Sequence, residues 1–221
     1  MSGDGVSIHL IVLQHGFMGN PGHLGSIVRR LTAPFPECGD RVVVHNSPVN
    51  NLNLTMDGID VCGHRLADDV TQKLDELRQG HPRPAIKLSF IGYSLGGLIV
   101  RYSLGLLEGA GALKDVTLKN FITFATPHLG ARKVPGFVGS IYNFVLPRIA
   151  SRTGEQLALV DCDHGHGAPL LLVMSMRDTP FLRALERFES HTLYANGLND
   201  LTVSYSSASI SYHNPYRHGH L

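Results

Sequence analysis

The chain has 221 residues, 43% of them apolar, with 19 basic residues against 18 acidic ones and a formal net charge of +1. Such a length and composition can bury one sizeable core, and they predict a single domain over residues 1–221. No run of like charges tracks a phosphate backbone, which argues against a nucleic-acid partner.

Met1-Ser2-Gly3-Asp4-Gly5 has no basic segment, and the apolar stretch after it is short and interrupted by His9, so no signal peptide is expected. No segment approaches the roughly 18 apolar residues that span a bilayer. Cys38, Cys62 and Cys162 are odd in number and widely spaced. That pattern argues against a disulfide framework and for a reducing, cytoplasmic compartment.

The first strand is expected at 7–13 and runs into Leu13-Gln14-His15-Gly16-Phe17, followed by Met18-Gly19-Asn20-Pro21. A second strand is expected at 41–45. Ile59, Leu66, Val70, Leu74 and Leu77 then recur at helical spacing, and His81-Pro82-Arg83-Pro84 ends that helix. A third strand at 86–91 leads into Gly92-Tyr93-Ser94-Leu95-Gly96 and a helix over 98–107. Strand, GxSxG turn and helix in this order read as a nucleophile elbow. A serine hydroxyl is a poor nucleophile at neutral pH unless a tight turn exposes it beside a base and beside donors for the developing oxyanion.

Further strands are expected at 120–125 and 191–195, the second preceded by a short helix over 181–188. Strands and helices therefore alternate, which predicts an α/β fold with a mainly parallel sheet covered by helices on both faces. The region 131–169 is the least regular. Its apolar residues have near-helical spacing, but Pro135, Gly136, Gly139 and Pro147 break it, as in a cap inserted over a site.

The oxyanion hole of such a site needs the N–H after the nucleophile, here Leu95, and an N–H from the loop after the first strand, for which Phe17 comes first and Met18 second. The acid follows a late strand in chain order. Asp200, ending Asn196-Gly197-Leu198-Asn199-Asp200, occupies that place, against the alternative of a surface Asp holding a turn. Asp178 reads better as a helix-start residue. Three tail histidines, His213, His218 and His220, are candidates for the base, with His218 and His220 favoured because they lie farther beyond the acid loop. Asp161-Cys162-Asp163-His164-Gly165-His166 superficially suggests metal ligands, but structural zinc sites draw paired ligands from two places, so a polar loop is the better reading.

His15-Gly16-Phe17-Met18-Gly19-Asn20, Thr55-Met56-Asp57-Gly58-Ile59, Gly92 to Tyr102, Phe124-Ala125-Thr126-Pro127-His128-Leu129-Gly130, and Leu193-Tyr194-Ala195-Asn196 with Asn199-Asp200 extend over most of the chain. In these stretches it resembles the DUF676 serine esterases, an α/β-hydrolase family that includes fungal lipid-droplet phospholipases and monoacylglycerol lipases. The resemblance implies Ser94 as nucleophile, Asp200 as acid and an acyl ester of a lipid as substrate. It also implies a chain cut short at its C-terminus, since members of the family tend to continue past this point.

The expected reaction has Ser94 attack an ester carbonyl while His218 or His220 takes and returns the proton. Asp200 orients the imidazole, and no metal or organic cofactor is required. The apolar segment 134–149 reads either as a lid or a segment lying on a membrane or lipid-droplet surface, or as ordinary core packing. Two alternatives use the same parts: a catalytically inactive lipid-binding or scaffolding module, and acyl transfer or thioester cleavage in place of hydrolysis.

Overall fold

The computed structural model describes residues 6–33, 39–81, 84–131, 151–162 and 167–216. The strands are β1 (Ser7–Gln14), β2 (Arg41–Asn46), β3 (Ala85–Tyr93), β4 (Val116–Phe124) and β5 (Ser190–Tyr194), with largely apolar runs in β1, β2 and β3. They make one sheet in the order β2-β1-β3-β4-β5, with every neighbouring pair parallel. A parallel sheet must be covered on both faces, and β1 shows how the sequence does this. Ile8, Leu10 and Val12 enter one core with residues of α2 (Ile59–Gly80) and α3 (Leu95–Gly109). Ile11 and Leu13 enter a second core, against which Ile27, Val28 and Leu31 of α1 (Gly25–Leu31) pack.

The expected strand at 120–125 is longer than its pattern indicated: β4 begins at Val116. Val116 and Leu118 are buried, and then Phe121 and Thr123 are buried, so the period-two alternation changes parity. The register with β3 shifts between Leu88 and Phe90, where a bulge inserts one extra residue. The Ser89 hydroxyl accepts from both the backbone N–H of Asn120 (3.1 Å) and its side-chain Nδ2 (3.2 Å), holding the bulge together.

The remaining helices among the described residues are α4 (Arg152–Ala158), α5 (Leu170–Val173), α6 (Pro180–Glu186) and α7 (Tyr205–Ser209). At α6 the N-cap is Thr179, whose hydroxyl accepts from Leu182 N; Asp178 stands just before it with φ 66°. Of the expected cap, 132–150 and 163–166 lie outside the described residues, as does the lid segment 134–149. The described part carries α4, which packs on α2 and on the 3-10 turn Leu52–Met56. Asp161 accepts from Leu170 N (2.8 Å), so the one carboxylate of the supposed metal-ligand run that is described braces the start of α5. Cys62 is a buried thiol whose pKa burial pushes up to about 12. No described helix is long and apolar enough to cross a membrane.

Register determines where loops meet. Gln14 pairs with Gly92, Tyr93 with Phe124, and Phe124 with Tyr194. The loops after β1, β3, β4 and β5 therefore leave from the same edge of the sheet, the carboxyl edge at which open α/β sheets bind ligands.

Candidate active site

Ser94 is the N-cap of α3 with φ 53° and ψ −126°, a conformation non-glycine residues avoid and one that costs on the order of 1–3 kcal/mol. Three interactions hold it there. Its N–H donates to Phe124 O (2.7 Å), and its carbonyl accepts from the Thr126 hydroxyl (2.8 Å) and from Gly97 N (3.1 Å). The glycines around it are required by contact. A Cβ on Gly92 would overlap the backbone of Gly97, and one on Gly96 would overlap the Gln14 carbonyl oxygen. The strand and helix of the elbow thus touch backbone to backbone.

The loop after β1 reaches the same point. A Cβ on Gly16 would lie 2.8 Å from Ser94 Cβ and 3.3 Å from its Oγ, so Gly16 packs directly against the Ser94 side chain. Gly19 N donates to Gly16 O (3.0 Å), closing a turn around Phe17 and Met18. Of the two early-loop donors, Met18 N–H is already engaged by the Thr55 hydroxyl (2.9 Å), while no described acceptor takes Phe17 N–H. Leu95, as first residue of α3, has no intrahelical acceptor for its N–H. Phe17 and Leu95 N–H are therefore without a described acceptor, and the Phe17 ring packs on the core.

Asp200 lies in the loop after β5. Its Oδ1 accepts from Thr202 N (2.9 Å), Thr202 Oγ1 (2.8 Å) and Val203 N (2.9 Å), and its Oδ2 accepts from Asn196 Nδ2 (2.8 Å). Burial works against the carboxylate, but hydrogen bonds from Val203, Asn196 and Thr202 outweigh it and hold Asp200 below the usual carboxylate range. The group is thus an ionised turn brace, and Oδ2, with one described donor, has capacity for another.

Two buried histidines flank the elbow in the fold. His15 is fully buried with Nδ1 3.1 Å from Gly16 O, and burial lowers its pKa. His128 pairs through Nε2 with the Thr123 hydroxyl (3.0 Å) and is pushed down to about 3 by burial and by the Arg101 cation. Arg101 itself is buried, donating to His128 O (3.3 Å) and the Ser175 hydroxyl (3.1 Å). Both imidazoles are neutral braces of the fold. Of the tail candidates, His213 is exposed, while His218 and His220 lie outside the described residues. The structure therefore brings Ser94, Leu95, Phe17 and Met18 together and places Asp200 on the same sheet edge. Thr55 and Thr126 were not singled out from sequence as side chains that hold the site; their only signal was a position inside a motif shared with a family.

Among solved structures, the mature Bacillus licheniformis lipase BlEst2 shares the fold, with a TM-score of 0.55 at 17% identity over 92% of this chain and 80% of that one. Among curated proteins, "Putative lipase ROG1" of Saccharomyces cerevisiae is 31% identical over 206 residues, 91% of this chain and 28% of that protein. "Putative lipase C4A8.10" of Schizosaccharomyces pombe is 29% identical over 207 residues, 91% of this chain and 26% of that protein. The chain thus spans less than a third of the length of these relatives. Residues 6–211, which include every described site residue except His213, match the family described as "Putative serine esterase (DUF676)", and the chain belongs to that family, with an α/β-hydrolase fold.

Proposed function

We propose that the chain is a single α/β-hydrolase domain, 1–221, that cleaves acyl esters of lipids through an acyl-enzyme on Ser94. The observation that carries this reading is the strained Ser94 with Gly16 of the early loop packed against its side chain. Such a geometry serves a nucleophile and has no use in a purely structural turn, where glycine would take the same φ without strain.

In the mechanism, Ser94 Oγ attacks the ester carbonyl and its proton passes to the imidazole of His218 or His220. The carbonyl oxygen gains charge facing Phe17 N–H and Leu95 N–H, which are fixed before reaction and need no reorganisation. The imidazolium, held by Asp200, returns the proton to the departing alcohol, leaving the acyl group on Ser94. Water then repeats the sequence and frees the acid.

A lipid acyl chain is supported by the apolar side chains at the carboxyl edge of the sheet. Tyr93, Leu129, Tyr194, Leu198 and Leu201 are each 44–57% exposed, and all lie at or after strand ends that border the site. The same rim would give peripheral contact with a membrane or lipid-droplet surface. The names of the relatives point to the same substrate class.

Ser94→Ala tests the reading. Ester turnover and labelling by a fluorophosphonate probe are both expected to disappear while the thermal melt stays cooperative. Labelling that persists in the variant sinks the assignment.

A further inference from the structure

We infer that Thr55 is a positioning residue for the oxyanion hole, one that sets the Gly16–Gly19 turn by holding Met18 N–H and thereby leaves Phe17 N–H free to face Ser94. The inference rests on the proposed function and concerns a residue 37 positions from the turn it holds.

Met18 has φ 51°, in the left-handed region that favours glycine, yet a flexible, β-unbranched Met occupies it. Something outside the turn must hold that conformation. Thr55 is fully buried, and its hydroxyl both accepts from Met18 N (2.9 Å) and donates to Leu52 O (2.7 Å). Leu52 N donates in turn to Gly19 O (2.8 Å). The turn is therefore tied at its third and fourth residues to one short segment, 52–55.

That segment is itself clamped from the side of the fold that carries α4. The Thr153 hydroxyl donates to Thr55 O (2.7 Å) and accepts from Gly58 N (3.0 Å). Gln156 Oε1 accepts from Ile59 N (2.5 Å), and its amide nitrogen donates to Asp60 Oδ1 (2.8 Å). Arg152 grips the Asp60 carboxylate through two nitrogens, Nε at 3.1 Å and a terminal nitrogen at 2.5 Å. These bonds explain why Thr55, Gly58, Ile59 and Asp60 occur together in sequence: they form the rigid base on which Thr55 presents its hydroxyl.

The peptide carrying Phe17 N–H precedes the one carrying Met18 N–H. If Met18 relaxes to a negative φ, the intervening residue rotates and Phe17 N–H leaves its place beside Ser94. The Thr55 hydroxyl therefore acts on the oxyanion through Met18 and does not touch the substrate.

The test uses Thr55→Val, which keeps the shape and removes the hydroxyl, and Thr55→Ser, which keeps the hydroxyl. Steady-state hydrolysis of a p-nitrophenyl ester and the rate of fluorophosphonate labelling are measured for both. Thr55→Val is expected to lower kcat about 10–100-fold, less than the loss of a donor itself, with KM within about threefold. Thr55→Ser should retain kcat within about threefold. Val70→Ala, which loosens the buried face of α2 far from the turn, should lower the melting temperature without the fall in kcat. Unchanged kcat in Thr55→Val, or an equal fall in Val70→Ala, overturns the proposal. Should Thr55→Val fail to melt cooperatively, Thr55→Ala takes its place with the same readouts. Amide exchange separates this proposal from the functional reading. Met18 N–H should be protected in the wild type and exchange fast in the valine variant, and an unprotected Met18 in the wild type overturns the positioning role whatever the activity. A wild type that is protected at Met18 but neither turns over nor labels sinks the functional reading and the oxyanion role with it.

Discussion

On the β1 and β3 side of the site, position comes from backbone packed against backbone: Gly96 against the Gln14 carbonyl, Gly92 against Gly97, Gly16 against the Tyr93 carbonyl. On the β5 side, Asp200 is placed by hydrogen bonds from Asn196, Thr202 and Val203, all within its own loop. The first arrangement exists only once strands distant in sequence have paired, and no side chain can yield to relieve an intrusion. The second is local and tolerates conservative change. The side of the proposed nucleophile thus couples chemistry to folding, whereas the side of the proposed acid separates them.

The strongest way to break that contrast is Gly96→Ala. The new methyl would overlap the Gln14 carbonyl oxygen and lie 2.6 Å from that of His15, both main-chain atoms. We expect a loss of about 4 kcal/mol or more, seen as a fall of roughly 8–16 °C in melting temperature for a domain of this size. Fluorophosphonate labelling should vanish with it. A variant that melts within two or three degrees of the wild type, roughly 1 kcal/mol, and labels at the same rate would show that the elbow is less tightly set than its contacts imply.

Asp200→Asn is the matching test on the other side. Asparagine keeps an oxygen for Thr202 and Val203 but sets an amide against that of Asn196, at a cost of about 0.5–1.5 kcal/mol. The melting temperature should therefore fall by only a few degrees. Turnover should drop about 10³–10⁴-fold, as when a triad acid loses its charge and the imidazole its tautomer. Activity within tenfold of the wild type would remove Asp200 from the acid role and leave it as a turn brace.

How much of this could be read from the sequence follows the same division. The elbow announces itself because its glycines, serine, strand and helix are contiguous, and Asp200 because its loop is rich in turn residues after the last strand. The parallel sheet covered on both faces follows from the alternation of strand and helix signals, whereas the strand order β2-β1-β3-β4-β5 depends on pairings between distant segments. The first half of β4 was lost to the bulge at Asn120, where a change of parity conceals a continuous strand. The sequence ranks Phe17 ahead of Met18, but the hydrogen bond that engages Met18 N–H comes from Thr55, which no local pattern encodes. Likewise, the buried roles of His15 and His128 follow from packing and not from residue type. The favoured tail histidines, His218 and His220, fall beyond the described residues.

The two sides should also respond to acid in different windows. His128, pushed down to about 3 first by burial and then by Arg101, stays neutral in the fold while an unfolded histidine protonates near pH 6.5. A lowered histidine pKa contributes stability that is present above the unfolded value and drains away as pH falls from about 6.5 toward 3. His15, also lowered by burial, adds in the same direction. For Asp200 burial opposes the charge, but its hydrogen bonds win and its pKa is lowered. Its contribution is therefore intact above the unfolded value of about 3.9 and is lost only as pH falls through the folded value. Urea unfolding followed against pH should show wild type and Asp200→Asn declining in parallel from pH 6.5 to about 4.5, then converging below about 4. His128→Gln, which cannot titrate, should flatten the upper decline and leave the lower convergence untouched. Curves for the wild type and Asp200→Asn that converge already near pH 6 would mean that the carboxylate is not held ionised by its loop, and the separation between the two sides would fail at its acid end.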